Sequence, residues 1–122
     1  MCGRYASTRG SADLAALFEA LDETGDELVP DYNVAPTKQV LAVLERRHRD
    51  DEGAPAGDPT RRLRTARWGL VPSWAKEISI GNRLINARGD TLAQKPAFRR
   101  AFARRRCLLP ADGYYEWRAP GT

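Results

Sequence analysis

Apolar and polar positions alternate along this chain in two distinct rhythms. Between Ser11 and Leu21, SADLAALFEAL places apolar residues at Leu14, Leu17, Phe18 and Leu21. That i, i+3, i+4, i+7 spacing predicts one buried face of a helix. Ser11 stands where an N-cap belongs, and Asp13 suits the first turn. DETGDE breaks the rhythm and leads into LVPDYNVAPT, an extended or looped stretch. Asn33 to Thr37 is kept out of helix because Pro36 restricts Ala35 as well as itself.

From Gln39 the rhythm changes. QVLAVLE over Gln39–Glu45 is a run of Val and Leu that reads as a strand. The polar stretch 46–62, RRHRDDEGAPAGDPTRR, is rich in Gly, Pro and mixed charge and is expected to be a flexible hairpin or insertion. LRTARWGLV returns as a strand, VPSW turns the chain, and ISIGNRLINAR reads as loop with short extended pieces. A second helix is predicted over Lys95–Arg105, where Pro96 suits the first helical position and Phe98 and Phe102 lie at i, i+4. RCLLPADGYYEW then reads as a hairpin joined at Pro110–Gly113. Strands dominate with helices interspersed, so the expected fold class is α+β. RAPGT follows the last strand with no closing element, so the chain is expected to be the N-terminal part of a longer domain.

Composition adds bounds. The 122 residues suffice for one domain, 1–122, with a modest core. No apolar run is long enough to cross a bilayer, and the first residues lack the cationic and apolar regions of a signal peptide, so a cytoplasmic location is expected. Twenty Lys and Arg against 16 Asp and Glu give a net charge of +4. That excess is compatible with an anionic partner without identifying one. The two cysteines, Cys2 and Cys107, have no metal-ligand spacing, which argues against a structural metal. The single histidine, His48, sits in the polar stretch and makes a poor partner for a nucleophilic Ser or Cys.

Cys2 is the first candidate for chemistry. Removal of Met1 would leave one residue carrying both an α-amine and a thiol. An α-amine titrates near 7.7–8.0, roughly, against about 10.4 for lysine, so part of it is neutral at physiological pH. The thiol is intrinsically nucleophilic. Against an aldehyde, the amine can form an imine and the thiol can close onto it as a five-membered thiazolidine. The closure is intramolecular, with effective concentrations on the order of 10⁵ M or more when well oriented. The competing reading is a small apolar residue buried near the terminus.

Four more segments combine polar residues with Trp, Pro or Gly: Asn33-Val34-Ala35-Pro36-Thr37, Arg67-Trp68-Gly69-Leu70-Val71-Pro72-Ser73-Trp74, Asn86-Ala87-Arg88, and Asp112-Gly113-Tyr114-Tyr115-Glu116-Trp117. With MCGRYA they resemble, in order and from Met1 to Trp117, the SOS-response-associated peptidase (SRAP) family of abasic-site-processing proteins. The resemblance implies a β-rich, barrel-like α+β core with flanking helices and the N-terminus at the floor of a basic groove. It implies a partner, single-stranded DNA containing abasic sites, whose ring-opened sugar presents an aldehyde. It also implies a thiazolidine crosslink through Cys2 in the DNA-damage (SOS) response, and autoproteolytic and lyase-like activity. The implied protein is a monomer that needs no cofactor, metal or membrane and associates with the bacterial nucleoid when bound to DNA.

Residue by residue, the resemblance gives Asn86 the role of holding the Cys2 amine and thiol. Glu116 becomes the general acid/base, a role helped by apolar neighbours that make a carboxyl group easier to protonate. Arg4 and Arg88 would meet phosphates, while Trp68, Trp74 and the Pro36 loop offer flat surfaces to unpaired bases. Arg99, Arg100 and Arg104–Arg106 read either as a phosphate-steering stripe or as a solvated helix face. Each of the other residues has a plain alternative: an edge-strand surface residue for Glu116, a turn cap for Asn86, a core position for either Trp. The family's His within H-x-R-M-P has no counterpart here, and His48 does not match it. Two other readings stay open: a class II glutamine amidotransferase, which also begins MCG, and a non-catalytic single-stranded DNA-binding module.

Overall fold

The spine of the molecule is a strand buried on both faces. In the computed structural model, which describes residues 2–25 and 28–121, the run QVLAVLE begins β4 (Gln39–Arg49). Val40, Leu41, Ala42 and Val43 are all buried. Because successive side chains point to opposite faces, Leu41 and Val43 pack with Leu14 and Leu63 on one side. Val40 packs with Tyr5, Val34 and Trp68 on the other. The element order before β4 is β1 (Arg4–Ser7), α1 (Ser11–Leu17), β2 (Leu21–Asp22) and β3 (Asp31–Val34). After it come β5 (Pro55–Arg67), a short 3₁₀ turn (Ile78–Asn82), α2 (Arg99–Arg104) and β6 (Gly113–Tyr115).

The strands form two three-stranded sheets, β3-β1-β6 and β2-β5-β4. The α+β class therefore holds. No closed barrel is formed among the described residues, contrary to the barrel-like expectation. Closure needs continuous strand pairing, and among the described residues the one bridge outside the named strands joins Val43 to Leu108. Met1, residues 26–27 within the DETGDE break, and Thr122 at the end of RAPGT lie outside the described residues.

Four boundaries differ from the sequence expectation, each for a physical reason. Helix α1 stops at Leu17, short of Leu21, and Ser11 is its first residue while Gly10 takes the N-cap. Glu19 adopts φ 51°, Glu19 N–H donates to the Ala16 carbonyl and Ala20 N–H to the Ala15 carbonyl. This pair of hydrogen bonds around a left-handed residue terminates a helix. It frees Leu21 to enter β2, parallel to β5, and leaves Leu17 exposed. The stretch 46–62 is mostly strand, since β4 runs to Arg49 and β5 begins at Pro55. Only residues 50–54 turn, with Asp50 Oδ1 accepting from Glu52 N–H at 3.0 Å and Ala54 N–H at 2.8 Å. A ribbon exposed on both faces needs no alternation, so the pattern gave no strand signal there.

Helix α2 is shorter than expected, at Arg99–Arg104, and follows a series of turns. The residues around Leu108 and Gly113–Tyr115 do not pair with each other as a hairpin. Leu108 bridges to β4, and β6 pairs with β1, Tyr114 opposite Tyr5. Asp112 fixes that arrangement: its Oδ2 accepts from Thr8 N–H at 2.6 Å and Thr8 O–H at 2.8 Å. Those bonds hold its carboxyl below the usual carboxylate range.

Candidate functional site

Two residues 84 positions apart in sequence meet at the N-terminus. The Asn86 side-chain amide donates to the Cys2 carbonyl at 2.6 Å. Cys2 is half-buried beside the Tyr5, Val34, Val40 and Trp68 core, and Ile85 packs against the same group. The Cys2 Sγ–H donates to the Arg4 carbonyl at 3.3 Å, which turns the thiol along β1. Asn86 thus fixes the backbone of Cys2; the contact is with the carbonyl and not with the thiol.

The loop that delivers Asn86 is set by backbone approach. Gly69 has φ +124° and Gly81 is buried against it, so close that a Cβ on Gly69 would lie 2.5 Å from the Gly81 carbonyl oxygen. Leu70 N–H donates to the Leu84 carbonyl at 3.0 Å, and Trp68 Nε1–H to the Ile85 carbonyl at 3.0 Å. Only glycine fits this crossing. Arg67 adds a tie, with Nη2 donating to Asn82 Oδ1 at 3.0 Å and Nε to the Thr37 carbonyl at 3.4 Å.

Trp68 is therefore core. It is 8% exposed and meets Tyr5 edge-on with ring centroids 5.3 Å apart. Its ring takes the core position that is the plain alternative to a stacking platform, and its indole N–H holds the loop carrying Asn86. The Pro36 loop is half-buried and sits against the same residue, Thr37 N–H donating to the Trp68 carbonyl at 2.9 Å. Thr37 has φ 75°, a strained value for a β-branched residue. Trp74, by contrast, is 57% exposed.

Beside the N-terminus lies an open cleft of about 760 Å³, lined by Gly3, Arg4, Tyr32, Asn33, Tyr115, Glu116 and Trp117. The expected residues Arg4 and Glu116 are brought together there. Arg4 Nη1 donates to Asn33 Oδ1 at 3.2 Å, and Tyr115 O–H to the Tyr32 carbonyl at 2.8 Å. Trp117 is fully exposed and Tyr32 is 70% exposed. Tyr32 and Asn33 as lining residues escaped the sequence reading, although a Tyr and an Asn beside a loop of suspected function were a usable signal. Gly81 escaped it too. Arg88 is exposed and pairs with Asp90, Nη2 to Oδ2 at 2.9 Å. An exposed pair of this kind opens at little cost.

Burial, then the charges of Asp31 and Cys2, push the Tyr5 phenol up to about 12. Both cysteines are free thiols. Among the described residues, no cluster of His, Cys, Asp and Glu could hold a metal ion, and no helix is long and apolar enough to cross a membrane. What the arrangement offers is a half-buried Cys2 held by its carbonyl and, beside Gly3, an open cleft lined by a carboxyl group, a cation and an aromatic wall.

Comparison with known proteins agrees with the motif order. The family model described as "SOS response associated peptidase (SRAP)" matches residues 1–122. The chain is 40% identical over 120 residues to the abasic site processing protein YoaM of Bacillus subtilis (strain 168), covering 97% of this chain and 48% of the relative. It is 38% identical over 120 residues to the abasic site processing protein YoqW of Bacillus phage SPbeta, with the same coverage. It is 33% identical over 135 residues to the abasic site processing protein HMCES of Gallus gallus, covering 99% of this chain and 39% of that protein. The chain spans about half the length, or less, of these curated relatives.

Proposed function

The chain belongs to the SOS response associated peptidase (SRAP) family, and from that premise we propose that it senses abasic sites in single-stranded DNA and captures them covalently through Cys2. The observation that carries the reading is the Asn86–Cys2 hydrogen bond, which anchors the N-terminal cysteine next to the cleft of Arg4, Glu116 and Trp117. The shared naming of the relatives as abasic site processing proteins supports the substrate class.

In this reading Met1, which lies outside the described residues, is removed autoproteolytically, the reaction that gives the family its peptidase name. The freed Cys2 amine attacks the aldehyde carbon of the ring-opened sugar. The carbinolamine loses water as Glu116 donates a proton to the departing hydroxyl, leaving an imine. The thiol then adds to the imine carbon and its proton passes to nitrogen. One aldehyde and one aminothiol thus give one thiazolidine and one water, with no change of oxidation state. Asn86 acts by fixing the Cys2 backbone, so that amine and thiol reach the same carbon. Arg4 and Arg88 bind flanking phosphates, the latter exchanging Asp90 for the phosphate. The Pro36 loop, Trp74 and the aromatic wall of Tyr32 and Trp117 hold unpaired bases.

The same reading places the protein in the cytoplasm, on damaged chromosomal DNA in the SOS response, as a monomer without a cofactor. Lyase-like cleavage at the imine stage competes with ring closure. A denaturing gel of the chain mixed with abasic single-stranded oligonucleotide tests the proposal. Wild type is expected to give a heat-stable adduct and Cys2→Ala none. An adduct of equal yield with Cys2→Ala would sink it, and labelling of Cys2 by an electrophilic glutamine analogue would favour the amidotransferase reading.

A further inference from the structure

Two consecutive residues, Arg67 and Trp68, each reach in two directions. The Trp68 carbonyl accepts from Thr37 N–H at 2.9 Å, while its indole N–H donates to the Ile85 carbonyl at 3.0 Å. Arg67 repeats the pattern: Nε donates to the Thr37 carbonyl at 3.4 Å and Nη2 to Asn82 Oδ1 at 3.0 Å. Both backbone polar groups of Thr37 are therefore tied to residues 67–68. The same two residues hold the segment 82–85 that runs into Asn86. Thr37 needs such ties, because its φ of 75° is left-handed. A β-branched residue keeps that backbone only where its surroundings over-determine it.

Stability alone does not account for Arg67. Its Nη1 is buried without a hydrogen-bond partner. Among the described residues its guanidinium forms no ion pair. A partly buried cation with an unpaired donor is unfavourable, and an apolar side chain of similar size commonly serves stability as well or better. A lysine ammonium lacks the planar fork of donors that reaches two fixed acceptors at once. What arginine supplies here is a set spacing between Thr37 and Asn82. Neither Arg67 nor Asn82 lines the cleft beside Cys2.

We propose that Arg67 is a positioning residue for the Cys2 reaction: by bridging Thr37 to Asn82 it sets where Asn86 holds the Cys2 carbonyl. The strained turn at Thr37 and the segment carrying Asn86 then keep one fixed relation, with the fork between them. Trp68 makes the parallel bridge through the core, so Arg67 adjusts the placement of a segment that is already packed. A purely structural tie would act on stability and leave the placement of Asn86 unchanged. This inference rests on the proposed function for its reaction, and it adds a residue that touches neither the lesion nor Cys2.

The test follows adduct formation with abasic single-stranded oligonucleotide over a range of oligonucleotide concentrations. Arg67→Met and Arg67→Lys should both lower the maximal rate about tenfold, the factor that one hydrogen bond commands. The half-saturating concentration should stay at the wild-type value, because Arg67 acts through Asn86 and not on DNA. Arg67→Met should move the denaturation midpoint by no more than about 4 °C. Asn82→Ala should slow the reaction equally, and Arg67→Met/Asn82→Ala no further, since two ends of one contact are not additive. Without DNA, the Asn86 side-chain amide resonances of Arg67→Met should move toward those of a solvent-exposed amide. An unchanged maximal rate, multiplying effects in the double variant, or unmoved Asn86 resonances overturns the proposal. A wild type that forms no adduct defeats the Cys2 reading. The Asn86 resonances then decide the placement by themselves, their movement supporting it and their constancy overturning it.

Discussion

The two sheets use their side chains in opposite ways. In β2-β5-β4 the apolar residues turn inward, and Leu63 is 0% exposed between Leu14, Leu41 and Val43. In β3-β1-β6 the large side chains largely face outward: Tyr32, Tyr114, Tyr115 and the following Trp117 are all exposed, while Tyr5 and Val34 are buried. The first sheet supplies most of the hydrophobic stabilisation, which scales with buried apolar area. The second is held largely by directed polar contacts, such as Thr8 to Asp112, Tyr115 to the Tyr32 carbonyl and Asn86 to Cys2. Stability and the proposed reactivity therefore rest largely on different residues, and substitutions can separate them.

The widest separation comes from Leu63→Ala. It removes a fully buried side chain and should cost about 2–5 kcal/mol, read as a lowered denaturation midpoint. A loss below about 1 kcal/mol would mean that the β2-β5-β4 core is not the source of stability. Gly69→Ala acts at the junction of the two regions, since its Cβ would press on the Gly81 carbonyl and its φ is hostile to alanine. It should cost about 1–3 kcal/mol and slow adduct formation as well, because the loop carrying Asn86 must shift. A loss of stability with unchanged adduct rate would show that the crossing does not position Asn86.

Asn86→Ala should lower stability only modestly, by about 1 kcal/mol, the scale of one partly buried hydrogen bond, but slow adduct formation about tenfold. A large loss of stability with no change in rate would reverse its role. The smallest effect is on pH. Asp112 titrates below its ordinary range in the folded state, so its contribution is present above the unfolded-state value and is lost as pH falls through the folded one. The Thr8 amide resonance should follow that acid titration, and Asp112→Asn should abolish the dependence. A Thr8 amide that ignores pH through this range would show that the anchor is not formed.

Part of this architecture was legible in the sequence. The run of Val and Leu over Gln39–Glu45 marked a strand, and Leu14 marked the apolar face of α1. The end of α1 was not legible, because a left-handed glutamate terminates it where a favourable helical pattern continues. The outer half of the β4–β5 ribbon was hidden by its charge and its Gly and Pro content. The motif order pointed to Cys2, Asn86 and Glu116, yet the contact of Asn86 with the Cys2 carbonyl depends on how Gly69 crosses Gly81. Trp68 shows the limit most clearly: an aromatic residue in a motif reads equally well as surface or core, and packing against Tyr5 decides it.

The central claim is that Cys2 acts as a terminal aminothiol aimed at an aldehyde. Intact-mass spectrometry of the chain, alone and after mixing with abasic single-stranded DNA, tests it directly. The account predicts a chain lacking Met1 and, with the DNA, a new mass equal to protein plus oligonucleotide minus one water, mapped to Cys2 by digestion. A chain that retains Met1 and gains no mass would contradict it.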